Sequence, residues 1–279
     1  MYFPEDGKVP SLEQESLLES ITAASGTALE RQQLQDGAQK LKVFEESEKL
    51  YEAILDSVSH ELRTPITAIV GAASALSDKN TASVEANRKS LTEDLIRSSE
   101  RLNHVVENLL DMSRLNSGKL QLNREIVEVS DLVEEAAKDF KNVSSSQQTV
   151  SIQCEPGLYT NVDSRMIEHV LTNLLRNASQ HSPHNACIQI VASRGKENLF
   201  LVDVLDEGKG IPKDSQEKVF QKFYREPNSP PGGIGLGLSI VKGIVEAHGG
   251  KVSVSQRHDK AGSCFRVALP IWKEKDPET

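Results

Sequence analysis

Long apolar runs are missing from this chain. No stretch approaches the length of a membrane-spanning helix, and the N-terminus lacks the pattern of a signal peptide, so no transmembrane segment is expected here. Positive charge is in deficit. Against 41 Asp and Glu stand 32 Lys and Arg, and the net charge of −9 argues against a nucleic-acid partner. Cysteine is scarce and scattered. Cys154, Cys187 and Cys264 are odd in number and without metal-ligand spacing, which points to a reduced, cytoplasmic setting. There is one Trp, no low-complexity tract and no internal repeat. What is present, 37% hydrophobic and 26% charged residues over 279 positions, suits a globular protein with room for two modest domains and a linker.

The first third of the chain has a helical rhythm. Residues 1–10 hold two prolines and a glycine and should be irregular. Ser11 and Gln14 can form a capping box, and Leu17, Leu18, Ile21, Ala24, Ala28 and Leu29 follow at helical spacing. Leu34, Leu41, Phe44, Tyr51, Leu55, Val58 and Leu62 continue in a three-four pattern. With Leu55 and Leu62 at heptad position a, His60 falls at f, the most exposed position of a coiled coil. Glu61 is its neighbour, and Thr64, four residues on, shares its face. Pro65 frees the carbonyl of Glu61 and should bend the helix just past the histidine. This first helix runs to about Leu76, and Ser77–Asn80 is polar turn chemistry.

A second helix is expected from near Ser83. Leu91, Leu95, Ser98, Leu102, Val105, Leu109 and Met112 form a seam longer than a surface helix needs. Two long amphipathic helices in one hairpin each expose an apolar stripe, and pairing two hairpins into a four-helix bundle buries both. The chain is therefore expected to form a homodimer.

From about residue 119 the pattern changes. A short extended connector over 119–130 leads to a helix capped by Asp131 and ending near Phe140. Strands follow over Val150–Cys154, Leu158–Val162, Ala186–Ala192 and Leu199–Leu205. Asp163 caps a helix to about Gln180. Further helices are expected over Asp214–Lys222 and Gly235–His248, with strands over Lys251–Gln256 and Ser263–Leu269 closing a two-layer α/β sandwich.

Three groups of residues in this half carry chemistry. Asn173, Asn177 and His181 form a polar stripe along one helix edge, and amide oxygens suit a hard cation such as Mg²⁺. Asp206 continues the apolar row Phe200, Val202, Val204, where a carboxylate is costly unless something hydrogen-bonds it. Gly208 and Gly210 follow it and permit close backbone approach. Gly233, Gly235 and Gly237, with Leu236 between them, precede an apolar helix and would turn backbone N–H groups toward phosphate oxygens. No Gly-Lys-Ser/Thr follows, so this is not a Walker motif.

Ser59-His60-Glu61-Leu-Arg-Thr64-Pro resembles the H box of sensor histidine kinases of two-component systems. Asn173-Leu-Leu-Arg-Asn177-Ala is similar to their N box, and Asp206-Glu-Gly208-Lys-Gly210-Ile to their first glycine box. Phe220-Gln-Lys-Phe223-Tyr224 is similar to their F box, and Gly233-Ile-Gly235-Leu-Gly237-Leu to their second glycine box. The motifs occur in family order over roughly residues 45–270. The run from Leu62 to Ser74 and the run from Ile240 to Gly250 are most similar to the osmotic and potassium-sensing branch.

The resemblance implies a dimerisation and histidine phosphotransfer (HisKA) hairpin over 34–117, a linker over 118–130 and a HATPase_c domain of the Bergerat (GHKL) ATP-binding fold over 131–272. Residues 1–33 would be the remnant of a preceding GAF-like sensory domain or a helical leader, and 273–279 a disordered tail. It implies that His60 is phosphorylated from Mg-ATP with Glu61 as general base. Asn177 would be the Mg²⁺ ligand, and Asp206 would take the adenine amino group. The remaining N-, F- and glycine-box residues, Phe223 included, would surround the nucleotide, with Arg225–Gly232 as the ATP lid. The phosphoryl group would then pass to an aspartate on a response regulator receiver domain, with Thr64 supporting its dephosphorylation. This chain would be cytoplasmic, and the resemblance allows a full-length parent anchored in the inner or plasma membrane.

Two departures weaken the match. Gln180 stands where many members have a lysine, leaving Arg176, His181 or Lys209 to supply charge. Ile234 replaces a small hydroxyl residue. Two other functions remain compatible with parts of the pattern: a GHKL-type ATPase, which leaves residues 59–65 without a purpose, and a pseudokinase scaffold.

Overall fold

The computed structural model describes residues 11–77, 85–117, 120–143, 148–226, 229 and 233–272. The expectations for residues 1–10, the hairpin turn, most of the lid and the C-terminal tail fall outside these. The chain divides into two compact units, Met1–Asp56 and Ser57–Thr279. The described part of the first is helical from Leu12 onward, and Leu12, Leu17 and Ile21 are exposed on it.

Helix α1 spans Leu12–Ser77 and passes through Pro65 without interruption. Helix α2 spans Glu85–Asn116. Val58 and Leu62 of α1 and Val105, Leu109 and Met112 of α2 join the apolar core, as the seam predicts. The interior also takes charge. Glu61 is 7% exposed, and its Oε2 accepts from Arg101 of α2 at 3.0 Å. A second apolar stripe stays in solvent: Ile66 and Val70 on α1, and Ile96, Val106 and Leu110 on α2.

Strand β1 (Glu125–Glu128) pairs antiparallel with β3 (Tyr159–Val162) in a small ribbon. The segment expected to be an extended connector therefore contains a paired strand. Helix α3 (Val129–Val143) follows directly, two residues before the predicted cap at Asp131. Val129 is buried and its N–H donates to the Leu158 carbonyl, which holds the helix start against the ribbon.

The main sheet has five strands: β2 (Thr149–Cys154), β4 (Cys187–Arg194), β5 (Leu199–Leu205), β6 (Lys251–Gln256) and β7 (Ser263–Pro270). Their order is β2-β4-β5-β7-β6, with only β2 and β4 parallel. Register places Ile152, Ile190, Val204, Phe265 and Val254 in one row across the sheet. This inner face packs against α3, α4 (Ser164–His181) and α5 (Gly237–Ala247), the second layer of the sandwich. On the outer face, the cross-strand pair Asp203 and Arg266 forms two hydrogen bonds of 2.7 Å.

The helix expected over Asp214–Lys222 is instead two short 3₁₀ turns, Lys213–Ser215 and Lys218–Phe220. Only Val219 and Phe220 are buried there, too few to form an α-helical stripe. Phe220 packs edge-on against Phe265. Helix α5 begins at Gly237 rather than Gly235, because Gly235 has φ +75° and lies outside helical space.

Candidate nucleotide site

Helix α4 sets the first wall of the site. Its N-cap, Asp163, accepts from the Met166 N–H through Oδ1 at 3.2 Å and from the Asn123 N–H through Oδ2 at 2.9 Å. Its buried face is Ile167, Val170, Leu171, Leu174, Leu175 and Ala178. That burial rotates Asn173, Asn177 and His181 toward a cleft of about 900 Å³. Asn173 is buried and its Nδ2 has no hydrogen-bond partner. Burial lowers the pKa of His181, so its imidazole is neutral near pH 7.

Strand β5 delivers Asp206, which is 2% exposed, to the same cleft. Its Oδ1 accepts from the Gly208 N–H at 2.8 Å and the Ser263 N–H at 3.0 Å. Both bonds engage one oxygen, leaving Oδ2 as the carboxylate's second acceptor. A Cβ on Gly208 would lie 2.7 Å from the His181 carbonyl oxygen, so the loop closes against α4 only with glycine there. Sequence reasoning missed Arg257. Its side chain is nearly fully buried and donates to the Asp206 carbonyl at 3.2 Å, to Gln189 Oε1 at 2.9 Å and to Asp259. A single arginine just past a strand end has no periodic or motif signal.

The second glycine box forms the opposite wall. Gly235 accepts at its carbonyl from the Phe223 N–H at 2.9 Å, and a Cβ on Gly235 would meet the Tyr224 carbonyl oxygen at 2.8 Å. Gly233, Gly235, Leu236 and Gly237 line the cleft, and Leu236 caps α5. Ile234 is 8% exposed and belongs to the core, so its side chain anchors the loop. Tyr224, which donates to Glu226, lines the cleft; Phe223 packs against the core with φ +64° and does not. Gln180 brings no charge, but Arg176, Lys209 and Arg225 line the cleft. Burial lowers the Arg176 pKa, opposed by Glu107 and Glu100.

The hairpin closes the remaining side with Glu61, Arg97, Arg101 and His104. His60 is exposed, as its heptad position predicts, and is not among the residues lining the cleft. Thr64 Oγ1 donates to the His60 carbonyl at 3.1 Å.

Two family models match. The His Kinase A (phospho-acceptor) domain matches residues 51–118, and the histidine kinase-, DNA gyrase B- and HSP90-like ATPase domain matches residues 162–273. The chain therefore belongs to the sensor histidine kinases. It is 37% identical over 261 residues to the sensor protein KdpD of Escherichia coli, covering 92% of this chain and 28% of that protein. The chain spans less than a third of the length of the curated KdpD relatives it matches. Among solved structures, the Acinetobacter baumannii histidine kinase AdeS is 27% identical with a TM-score of 0.55, over 77% of this chain and 98% of that one. Histidine kinase ThkA, solved in complex with the response regulator protein TrrA, shares the fold at 24% identity and a TM-score of 0.54, over 78% of this chain and 61% of that one. Among the described residues, no helix is long and apolar enough to cross a membrane.

Proposed function

We propose that this chain autophosphorylates His60 from Mg-ATP and transfers the phosphoryl group to an aspartate of a response regulator. The observation that carries this reading is the convergence of Asn173, Asn177, Asp206 and the glycine-box backbones on one cleft that also contains Glu61 of the H-box helix. The orphaned amide of Asn173, the second acceptor of Asp206 and the cationic side chains fit a purine triphosphate. Asp206 Oδ2 accepts from the adenine amino group. Gly233, Gly235 and Gly237 allow the chain to approach the phosphates closely, and Arg176, Lys209 and Arg225 offset their charge. Mg²⁺, when bound, supplies further charge neutralisation, and Asn177 is the residue that would hold it.

One ring nitrogen of neutral His60 attacks the γ-phosphorus, a P–N bond forms, the P–O bond to ADP breaks, and the other nitrogen yields its proton to Glu61. In the structure Glu61 is engaged by Arg101 and His60 lies outside the cleft, so transfer requires this contact to open. The exposed stripe of Ile66, Val70, Ile96, Val106 and Leu110 supports a homodimer in which a second copy covers it. The hydroxyl of Thr64, one helical turn from His60, supports a phosphatase role toward the regulator. The free thiols of Cys154, Cys187 and Cys264 support a cytoplasmic setting.

The test is incorporation of γ-labelled phosphate from Mg-ATP, with His60→Gln and Asn177→Ala as controls. Acid-labile, alkali-stable label on the wild type alone is the expected result. Label that persists in His60→Gln refutes the assignment of the acceptor, and ATP hydrolysis with no label favours a GHKL-type ATPase.

A further inference from the structure

A cluster of metal-ligating side chains lies beside the nucleotide cleft and plays no part in the transfer chemistry. His104 and Glu107 stand one turn apart on α2. His169 stands on α4, one turn before Asn173. One ligand atom from each lies within 4.8 Å of the others. Around a tetrahedral Zn²⁺ such atoms sit about 3.3 Å apart, so the three side chains must draw together to close on an ion.

The surroundings prepare each ligand. Asp111 Oδ2 lies 2.8 Å from His169 Nδ1 and accepts its proton, which leaves Nε2 as the lone-pair nitrogen. That Nε2 is buried and has no hydrogen-bond partner. A carboxylate behind a histidine is the arrangement that orients metal-bound imidazoles. His104 Nε2 faces Asn108 Nδ2 at 3.0 Å, while Asn108 Oδ1 is buried without a partner. Turning the Asn108 amide over lets Oδ1 accept from Nε2–H and frees Nδ1 of His104. Glu107 accepts from Asn103 through Oε1 and is exposed, with Oε2 available. With the Asn108 amide so turned, the buried His169 Nε2 remains without a partner, and it points to a missing ligand that accepts a lone pair. Arg176 is the opposing charge, and it is faced by Glu107 and Glu100.

We propose that His104, Glu107 and His169 bind a borderline first-row divalent cation, with Zn²⁺ as its representative, and that the ion ties hairpin helix α2 to ATPase helix α4. Two imidazoles and one carboxylate select Zn²⁺, Co²⁺ or Ni²⁺ over Mg²⁺ and Ca²⁺. Because His60 lies outside the cleft and must reach it for transfer, a consequence that rests on the proposed kinase activity, an ion that fixes α2 against α4 holds the chain in its resting arrangement.

The experiment is Zn²⁺ titration of the full chain against a chelating chromophore, with thermal unfolding as a second readout. The wild type is expected to bind one Zn²⁺ per chain with a Kd of about 10 µM or tighter. His169→Gln and Glu107→Gln should weaken binding about tenfold or more, and Asp111→Asn about 10- to 100-fold through the loss of the supporting carboxylate. Glu107 is exposed, so its variant keeps the test valid if His169→Gln fails to fold. His60→Gln should bind as the wild type does. Weaker wild-type binding, unchanged affinity in Glu107→Gln, or loss of the site in His60→Gln overturns the proposal. Phosphate labelling of the metal-free wild type reports separately on the kinase reading.

Discussion

Replacing Asp206 in two ways separates its structural and recognition roles. In Asp206→Asn, Oδ1 still accepts from the Gly208 and Ser263 N–H groups, now without a full negative charge. The loss in stability should stay below about 1 kcal/mol. At the second position a donor replaces an acceptor, so a bound adenine amino group meets an N–H₂. Losing one charge-assisted bond there costs about 1.5–3 kcal/mol, or about 10- to 150-fold in ATP affinity. In Asp206→Ala both backbone N–H groups lose their partner at a position only 2% exposed. At about 1–3 kcal/mol each, the cost is about 2–6 kcal/mol, a fall of about 4 to 24 °C in melting temperature. Calorimetric titration with ATP and thermal unfolding of the three proteins supply both numbers. ATP affinity within twofold of wild type in Asp206→Asn, or equal destabilisation by Asn and Ala, refutes this reasoning.

His248 supplies a pH test. It is buried, its Nδ1–H donates to the Ile244 carbonyl at 2.8 Å, and its Nε2 accepts from the Asp163 N–H at 3.1 Å. Burial lowers its pKa, so the unfolded chain binds the proton more tightly. The stability it contributes is complete above the unfolded value of about 6.5 and falls as pH drops below it. His248→Gln should cost about 1–3 kcal/mol at pH 8 and flatten the loss between pH 6.5 and 5, and an unchanged slope in denaturant unfolding contradicts this. Leu110→Glu, at a side chain 51% exposed, should shift sedimentation from dimer to monomer with little change in the melting of the ATPase domain, and a persistent dimer rejects the proposed interface.

Local chemistry made much of the fold legible. The boundaries of β5 and β6 and the cap at Asp163 coincide with the pattern of alternation and capping. The C-terminal part of the α2 seam was legible because Val105, Leu109 and Met112 face the core at helical spacing. The 3₁₀ turns before residue 221 were not, because nothing in a short amphipathic run reveals that only two of its residues meet the core. Strand β1 was equally hidden, since its partner β3 lies more than thirty residues away.

By itself the sequence determined the family, the motif residues, the exposure of His60 and the α/β character of the second half. These depend on residue type and on spacing within one element. Only the tertiary structure decided that Glu61 is held by Arg101, that Ile234 is a core anchor, that Arg257 supports Asp206, and that His104 and His169 meet. Each of these joins residues from separate elements. No periodicity along one chain segment encodes such contacts; they arise when apolar faces pack and carry their polar neighbours together.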